Sequence, residues 1–199
     1  MARQGKQSGR VSLDAAFDLR PLRQGELDGL CGVYAAVNAL RMLLAAKRPL
    51  SPSEIDTMFH EGLRVLDKRD ELGWAVNYGV SKSSWVRMVR KMAAAAEATT
   101  GLPVMQRLPF AEQRRPSRQQ LFEVIEAAIG REHPVLIALS GRHSHYTVVC
   151  GYSPTRLMLF DSNALRWLDR TCCGPRHAES DYRHRIATRS LTVLELAPC

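Results

Sequence analysis

The hydrophobic pattern of this chain changes from helical to strand-like partway along its 199 residues. In the first half, apolar residues recur at helical spacing, as in the stripe formed by Val33, Val37, Leu40 and Leu44. The second half carries short β-rich runs separated by turn residues, namely PVLIALS, HYTVVCGY, RLMLFDS and LTVLELA. Helices followed by strands in a chain of this length predict an α+β fold, in which N-terminal helices pack on a C-terminal antiparallel sheet.

Capping and turn residues indicate where the predicted helices begin and end. Ser53 is expected to cap a helix that restarts after the first one, and Gly101 is expected to stop the next. Ser117 and Gly130 are the expected cap and stop of a further helix. The segment from residue 72 to residue 83 is rich in Gly and Ser, so we expect it to be a loop.

A chain of this size, with 45% hydrophobic residues, can bury the core of one globular domain. We expect residues 1–15 to form a flexible basic tail and residues 16–199 to form a single domain. No apolar run approaches the roughly 18 residues of a membrane span, so no span is expected. The N-terminus lacks the apolar segment of a signal peptide, although delivery by a non-Sec secretion route is compatible with it.

The net charge is +8, and arginine far outnumbers lysine. One interpretation is a composition bias, and the other is a surface that binds an acidic partner. The arginines are spread along the chain and are not interleaved with aromatic residues, so nucleic-acid binding is not expected.

The five cysteines are odd in number and irregular in spacing. This argues against a disulfide framework and favours a reducing compartment, for which the cytoplasm is the expected location. The segment TCCGPRH offers Cys172, Cys173 and His177 as soft metal ligands. Adjacent cysteines rarely build a tetrahedral site alone and no CxxC pair is present, so we expect neither a metal nor another cofactor.

One cysteine stands at the start of a predicted helix, in the stretch QGELDGLCGVYAAVNAL. A helix that begins near Asp28 or Gly29 places Cys31 in its first turn, where free backbone N–H groups and the helix dipole favour a thiolate. A buried and inert cysteine is the alternative. The Asp28 carboxylate opposes a thiolate, so Cys31 needs a cationic partner if it is a nucleophile.

Histidine is the expected cation, and the six histidines of the chain differ in their surroundings. In the stretch SGRHSHYTVVCGY, His143 and His145 lie where a Gly-bearing loop enters an apolar strand. We favour His145, because it begins the strand and is held by rigid backbone while remaining open to a cleft. The alternative is that both are ordinary loop histidines. His60 and His133 are expected to be structural or solvated, and His177 and His184 lie in an Arg-rich, polar segment.

The next strand ends in FDSN, so the two strands are expected to form a β-hairpin through the turn YSPT. Side chains alternate along a strand, so the register decides which groups meet. If the numbers of paired residues sum to an even value, Asp161 and Asn163 share the face of His145, and if the sum is odd, Ser162 does. An acid or amide beside the imidazole fixes its tautomer and stabilises its charged form.

The ordered blocks DGLCGVYAAVNAL, SHYTVVCGY and LFDSN resemble the papain-like cysteine peptidase superfamily, in particular C39-like bacterial peptidases and compact papain-fold effectors. This resemblance implies a papain-like domain with Cys31 as the nucleophile and His145 as the general base and then the acid. It implies that Asp161 orients the imidazole, with Asn163 as the alternative. It also implies that Gln24 and the backbone N–H of Cys31 form the oxyanion hole.

This set of residues predicts cleavage of a peptide or isopeptide bond in a protein or peptide substrate. The thiolate attacks the carbonyl carbon to give an acyl-enzyme, and the imidazolium protonates the leaving amine. The same thiol chemistry on a glutamine side chain gives deamidation, and with an amine acceptor it gives acyl transfer, as in some bacterial toxins. A catalytically inactive binding domain of the same fold is the remaining alternative.

Overall fold

The computed structural model describes residues 3–5, 9–25, 28–113, 115–178 and 181–197. The helices within these ranges are α1 (Ala15–Asp18), α2 (Cys31–Ala45), α3 (Pro52–Asp67), α4 (Leu72–Tyr78), α5 (Lys82–Thr100) and α6 (Arg118–Ile129). The strands are β1 (Arg3–Gly5), β2 (Arg10–Ser12), β3 (Val104–Arg107), β4 (Val135–Gly141), β5 (His145–Tyr152), β6 (Arg156–Phe160), β7 (Trp167–Asp169), β8 (Cys173–Pro175), β9 (His184–Ile186) and β10 (Thr192–Leu196). The α+β fold predicted from the sequence is confirmed. None of these described helices is both long and apolar enough to cross a membrane.

All ten described strands belong to one sheet, and β5 lies at its centre. The main path runs β1-β2-β5-β4-β10-β3, while β6 pairs with β5 and β7, and β9 pairs with β4 and β8. The pairs are antiparallel as predicted, except that β8 and β9 run parallel. Strands β1 and β2 come from the N-terminus, so the sheet is not built from the C-terminal half alone.

Helix α2 lies between strand β5 and helices α3 and α5. Its predicted stripe is confirmed, because none of its four members has any solvent exposure: Val33, Val37, Leu40 and Leu44. Burying each such side chain contributes on the order of 2 kcal/mol to folding. The buried apolar residues of helices and sheet form one cluster, which holds α2 rigidly against β5.

Helix α3 begins two residues earlier than predicted. The Ser51 hydroxyl accepts a hydrogen bond from the backbone N–H of Glu54, and the Glu54 carboxylate accepts one from the backbone N–H of Ser51. This capping box puts Pro52 at the first helical position, where its missing N–H is not needed. The prediction that Ser53 caps the helix was therefore wrong.

The predicted start of α6 and the predicted ends of α5 and α6 are confirmed, whereas α2 begins at Cys31 and not near Asp28 or Gly29. Ser117 caps α6 and Gly130 ends it, and Gly101 ends α5 in the left-handed conformation with a φ of 71°. The predicted loop between residues 72 and 83 was wrong, because its first part forms helix α4. The buried Ala75 packs that helix into the core, and local composition does not reveal such a tertiary contact.

Part of the predicted tail of residues 1–15 belongs to the sheet. Strand β1 pairs with β2, and β2 pairs with the end of β5. Leu13 is buried, and its backbone N–H donates to the carbonyl of Cys150 at 2.8 Å. Strand β5 extends past the end of β4, and β2 takes up the backbone groups left unpaired there. Residues 1–2 and 6–8 of the predicted tail lie outside the described residues.

Candidate active site

Helix α2 begins at Cys31, whose backbone N–H is in the first turn and has no acceptor within the helix. The carboxylate of Asp28 organises the entry to this helix. Its Oδ1 accepts a hydrogen bond from the backbone N–H of Leu30 at 3.0 Å, and its Oδ2 accepts one from that of Gly25 at 3.1 Å. Cys31 is 8% exposed, so its sulfur sits at the helix N-terminus with little access to water.

Gly29 fixes the position of this helix entry against α4. Its backbone N–H donates to the carbonyl of Val76 at 2.5 Å. A Cβ at this position would lie 2.7 Å from the carbonyl oxygen of Ala75 and 2.9 Å from the backbone N of Gly79. Backbone atoms cannot move aside as flexible side chains can, so only glycine fits here.

A Gly29→Ala substitution is expected to lower the free energy of unfolding by about 1–3 kcal/mol, because the added methyl forces α4 and the α2 entry apart. Urea denaturation measures this loss. Gly73→Ala is the matched control, because Gly73 lies on the same α4 and a Cβ there meets nothing within 4 Å. That variant is expected to gain about 0.5–1 kcal/mol from reduced backbone entropy. Equal stability of the two variants would contradict the close approach at Gly29.

His145 is the first residue of β5, and Asp161 directly follows β6. The His145 Nε2 lies 2.6 Å from Oδ2 of Asp161, whose side chain has no solvent exposure. The second oxygen, Oδ1, accepts hydrogen bonds from the backbone N–H groups of Asn163 at 2.8 Å and Leu165 at 3.0 Å. The carboxylate is therefore held on both sides, and Nδ1 is the imidazole nitrogen left to face another group.

The sulfur of Cys31 lies beside this imidazole. Burial lowers the pKa of His145, but its hydrogen bonds to Asp161 and Cys31, together with the charges of both, raise that pKa to about 9. Burial raises the pKa of Asp161, but its bond to the imidazole and the charge of that ring bring the pKa below its usual value. The structure thus brings together the cysteine, histidine and acid singled out in the sequence, with an imidazolium paired to a carboxylate at neutral pH.

A β-bulge in the hairpin controls this pairing. Near the hairpin turn, Gly151 pairs with Met158, and the sum of their numbers is odd. Past the bulge, Val149 pairs with Leu159, and the sum is even. Cys150 is the extra residue on β5, and it changes the phase of the strand by one position.

The even register holds at the end of the hairpin that carries His145. It places Asp161 on the face of the imidazole, whereas the odd register of the turn end would have placed Ser162 there. Asn163 contributes its backbone N–H to the Asp161 carboxylate, while Asn163 itself is exposed. Of the two sequence alternatives for an orienting residue, Asp161 is the one hydrogen-bonded to His145.

A buried contact joins the start of α2 to the start of β5. The Tyr146 hydroxyl donates to the carbonyl of Val80 at 3.1 Å. The side chain of Val80 packs on Gly32, where a Cβ would lie 2.9 Å from the Val80 Cγ2. Because Gly32 follows Cys31 and Tyr146 follows His145, this contact ties the start of α2 to the start of β5. Val80 and Tyr146 were not predicted from the sequence, in which the only signal was a tyrosine next to the favoured histidine.

Gln24 lies between the end of β6 and the start of α2. Its backbone N–H donates to the carbonyl of Ser162 at 3.1 Å, and its side-chain Nε2 donates to the carbonyl of Asp28. The Oε1 atom is buried and has no partner among the described residues. The side-chain amide carries two N–H groups, so one remains available as a donor close to the first turn of α2.

An exposed aromatic pair lies next to the entry of α2. Trp74 and Tyr78 on α4 are 59% and 73% exposed, and their ring centroids are 4.3 Å apart. The same helix contacts Gly29 through the carbonyl of Val76. The pair therefore presents apolar surface on the helix that contacts the entry of α2.

Cys172, Cys173 and His177 do not form a metal centre in this structure. Across the described ranges, no three His, Cys, Asp or Glu side chains are placed to hold a metal ion. Cys173 is buried at the start of β8, whereas His177 is exposed.

Comparison of the chain with protein-family models, curated proteins and solved structures gave no significant match. The papain-like assignment therefore stays a prediction from the sequence. What is established is the geometry: a histidine at a strand start interacts both with a cysteine at a helix N-terminus and with a buried carboxylate.

Proposed function

We propose that the protein is a cysteine peptidase or isopeptidase, with Cys31 as nucleophile, His145 as acid and base, and Asp161 as the residue that orients the imidazole. One observation carries the proposal: these side chains come from three separate segments and converge on a single imidazole. Burying an ionised pair is costly, and a pair arranged around a helix-terminal thiol is typical of a nucleophilic site.

In the first half of the reaction, the Cys31 thiolate attacks the carbonyl carbon of the scissile bond. The resulting oxyanion accepts hydrogen bonds from the backbone N–H of Cys31 and the free amide N–H of Gln24, each worth about 3 kcal/mol to the transition state. As the C–N bond breaks, Nδ1 of His145 gives its proton to the leaving amine. A thioester acyl-enzyme and a free amine remain.

In the second half, neutral His145 takes a proton from water, and the hydroxide attacks the thioester carbonyl. The C–S bond breaks, and the products are a carboxylic acid and the Cys31 thiolate beside a protonated imidazole. Asp161 stays ionised throughout and stabilises the imidazolium, because its second oxygen is held by backbone N–H groups.

Alkylation with iodoacetamide at about pH 6 tests the activated thiolate. We expect Cys31 to be labelled first, as mapped by peptide mass spectrometry. Burial raises the pKa of both Cys150 and Cys173 to about 12, so these thiols are expected to react slowly. His145→Ala is expected to slow the labelling of Cys31 about tenfold, because the thiolate loses its cationic partner.

His143→Ala is the matched control, because it removes a neighbouring imidazole from the loop that precedes β5. It should leave the labelling rate of Cys31 unchanged. Uniform labelling of all accessible cysteines would contradict the proposal, and so would equal labelling rates of Cys31 in the two histidine variants. Mass spectrometry of a treated protein substrate then separates bond cleavage from deamidation, which changes a side chain and leaves the backbone whole.

A further inference from the structure

A cavity of about 690 Å³ opens beside the N-terminus of α5. Four of its lining residues are basic: Lys82, Arg176, His177 and Arg189. The remaining lining residues are uncharged: Ser83, Val86, Ala187, Thr188 and Ser190. This volume is in the range that holds a small ligand or a few side chains of a bound peptide.

The basic residues of this cavity have no acidic partner within the described parts of the chain. Glu71 lies near the start of α5, but it is already engaged. Its Oε2 accepts hydrogen bonds from the hydroxyls of Ser81 at 2.9 Å and Ser84 at 2.6 Å, and its Oε1 pairs with Arg69 at 2.8 Å. The cavity thus has a concentrated positive charge that the described chain does not neutralise.

The cations of the cavity also act on one another. Burial and the charge of Arg176 both lower the pKa of Lys82. The N-terminus of the 19-residue helix α5 adds its free backbone N–H groups and the positive end of its dipole on the same side. An anion bound in the cavity would relieve this repulsion and accept hydrogen bonds from several donors.

The cavity shares a wall with the candidate active site. The indole N–H of Trp85 donates to the carbonyl of Ser190, which lines the cavity, at 3.0 Å. The Trp85 ring stacks on that of Tyr146 with centroids 4.2 Å apart, and Tyr146 directly follows His145. A Cβ at Gly32 would lie 3.3 Å from the Trp85 ring. Because Gly32 follows Cys31, this aromatic pair links the wall of the basic cavity to the start of α2.

We propose that this cavity is a substrate subsite that binds acidic side chains of the polypeptide on which Cys31 acts. The inference rests on the proposed function and names its substrate class: proteins with Asp or Glu close to the scissile bond. A nucleic acid is the less suitable occupant, because no Phe, Tyr or Trp is among the described residues that line the cavity.

Fluorescence anisotropy with the full-length Cys31→Ala protein tests the subsite. The probes are fluorescein-labelled hexaglutamate, hexalysine and a single-stranded DNA oligonucleotide. We expect hexaglutamate to bind and hexalysine not to bind. The charge-reversal pair Lys82→Glu with Arg189→Glu should weaken hexaglutamate binding at least tenfold.

Arg90→Glu with Lys91→Glu is the matched control, because it makes the same change in net charge on exposed positions of α5 away from the cavity. It should leave hexaglutamate binding nearly unchanged. If both double substitutions weakened hexaglutamate binding equally, the binding would reflect the net charge of the protein and the proposal would be overturned. The proposal would also be overturned if the oligonucleotide bound more tightly than hexaglutamate and if Lys82→Glu with Arg189→Glu abolished that binding. The cavity would then be a nucleic-acid site.

Iodoacetamide labelling of the native chain keeps the two proposals distinguishable. If Cys31 is labelled selectively but hexaglutamate does not bind, only the subsite is wrong. If hexaglutamate binds at the cavity while Cys31 is inert, the proposed function is wrong, and the substrate role of the cavity is lost with it.

Discussion

A Cys31→Ala variant is expected to lose turnover by a factor of about 10⁴ or more, with stability within about 1 kcal/mol of the native chain. The substitution removes one sulfur at the first position of α2, where the helix entry is held by Asp28 and Gly29 and not by the thiol. Hydrolysis of fluorescein-labelled casein measures turnover, and thermal unfolding measures stability.

Cys172→Ala is the control, because Cys172 is a half-buried thiol far along the chain in the segment before β8. It is expected to keep full activity. Retained turnover in Cys31→Ala would rule out Cys31 as the nucleophile and overturn the proposed function. Loss of both activity and folding would instead assign Cys31 to the core.

An Asp161→Ala variant is expected to lower turnover about 10²-fold or more and to change its pH dependence. The leaving amine needs a proton from His145, so activity should fall as the pH rises through the pKa of that imidazole. In the native chain this pKa is about 9, and Asp161 is one cause of its elevation. Removing the carboxylate lowers the pKa, so the alkaline limb of the profile should move to lower pH.

The pH profile separates this role from a merely structural one. Asp161→Asn keeps a hydrogen-bond acceptor but loses the charge, so its alkaline limb should also move below that of the native chain. Asp169→Ala is the control, because Asp169 is exposed and forms only a loose ion pair with Arg156, with 3.7 Å between Oδ1 and Nε. It should leave the profile unchanged. An Asp161→Ala profile with its limb still near pH 9 would show that the carboxylate does not act on the imidazole.

The main helices and strands β4, β5, β6 and β10 could be predicted from the sequence, because they depend on local periodicity. The stripe from Val33 to Leu44 and the hairpin of β5 and β6 follow directly from spacings of 3.6 and 2 residues. Helix α4 was missed because its stability comes from a buried Ala75 and from contact with Gly29, which are long-range effects.

The identity of the candidate residues could be predicted, but their pairing could not. The sequence offered both Asp161 and Ser162 as neighbours of His145, and a single bulge decides between them. A bulge depends on how neighbouring strands pack, so alternation along one strand does not reveal it. The contact of Val80 with Gly32 and Tyr146 was invisible for the same reason.

The N-terminal segment supports the candidate site although it carries none of the candidate catalytic residues. The backbone N–H of Leu13 donates a hydrogen bond to the carbonyl of Cys150. Ser12 packs closely on Gly151, since a Cβ at Gly151 would lie 2.5 Å from the Ser12 Oγ. Deleting residues 1–13 would remove these contacts from the β-bulge at Cys150, where the register of the hairpin changes. We therefore expect N-terminally shortened or fused versions of the chain to differ from the native chain at the candidate site.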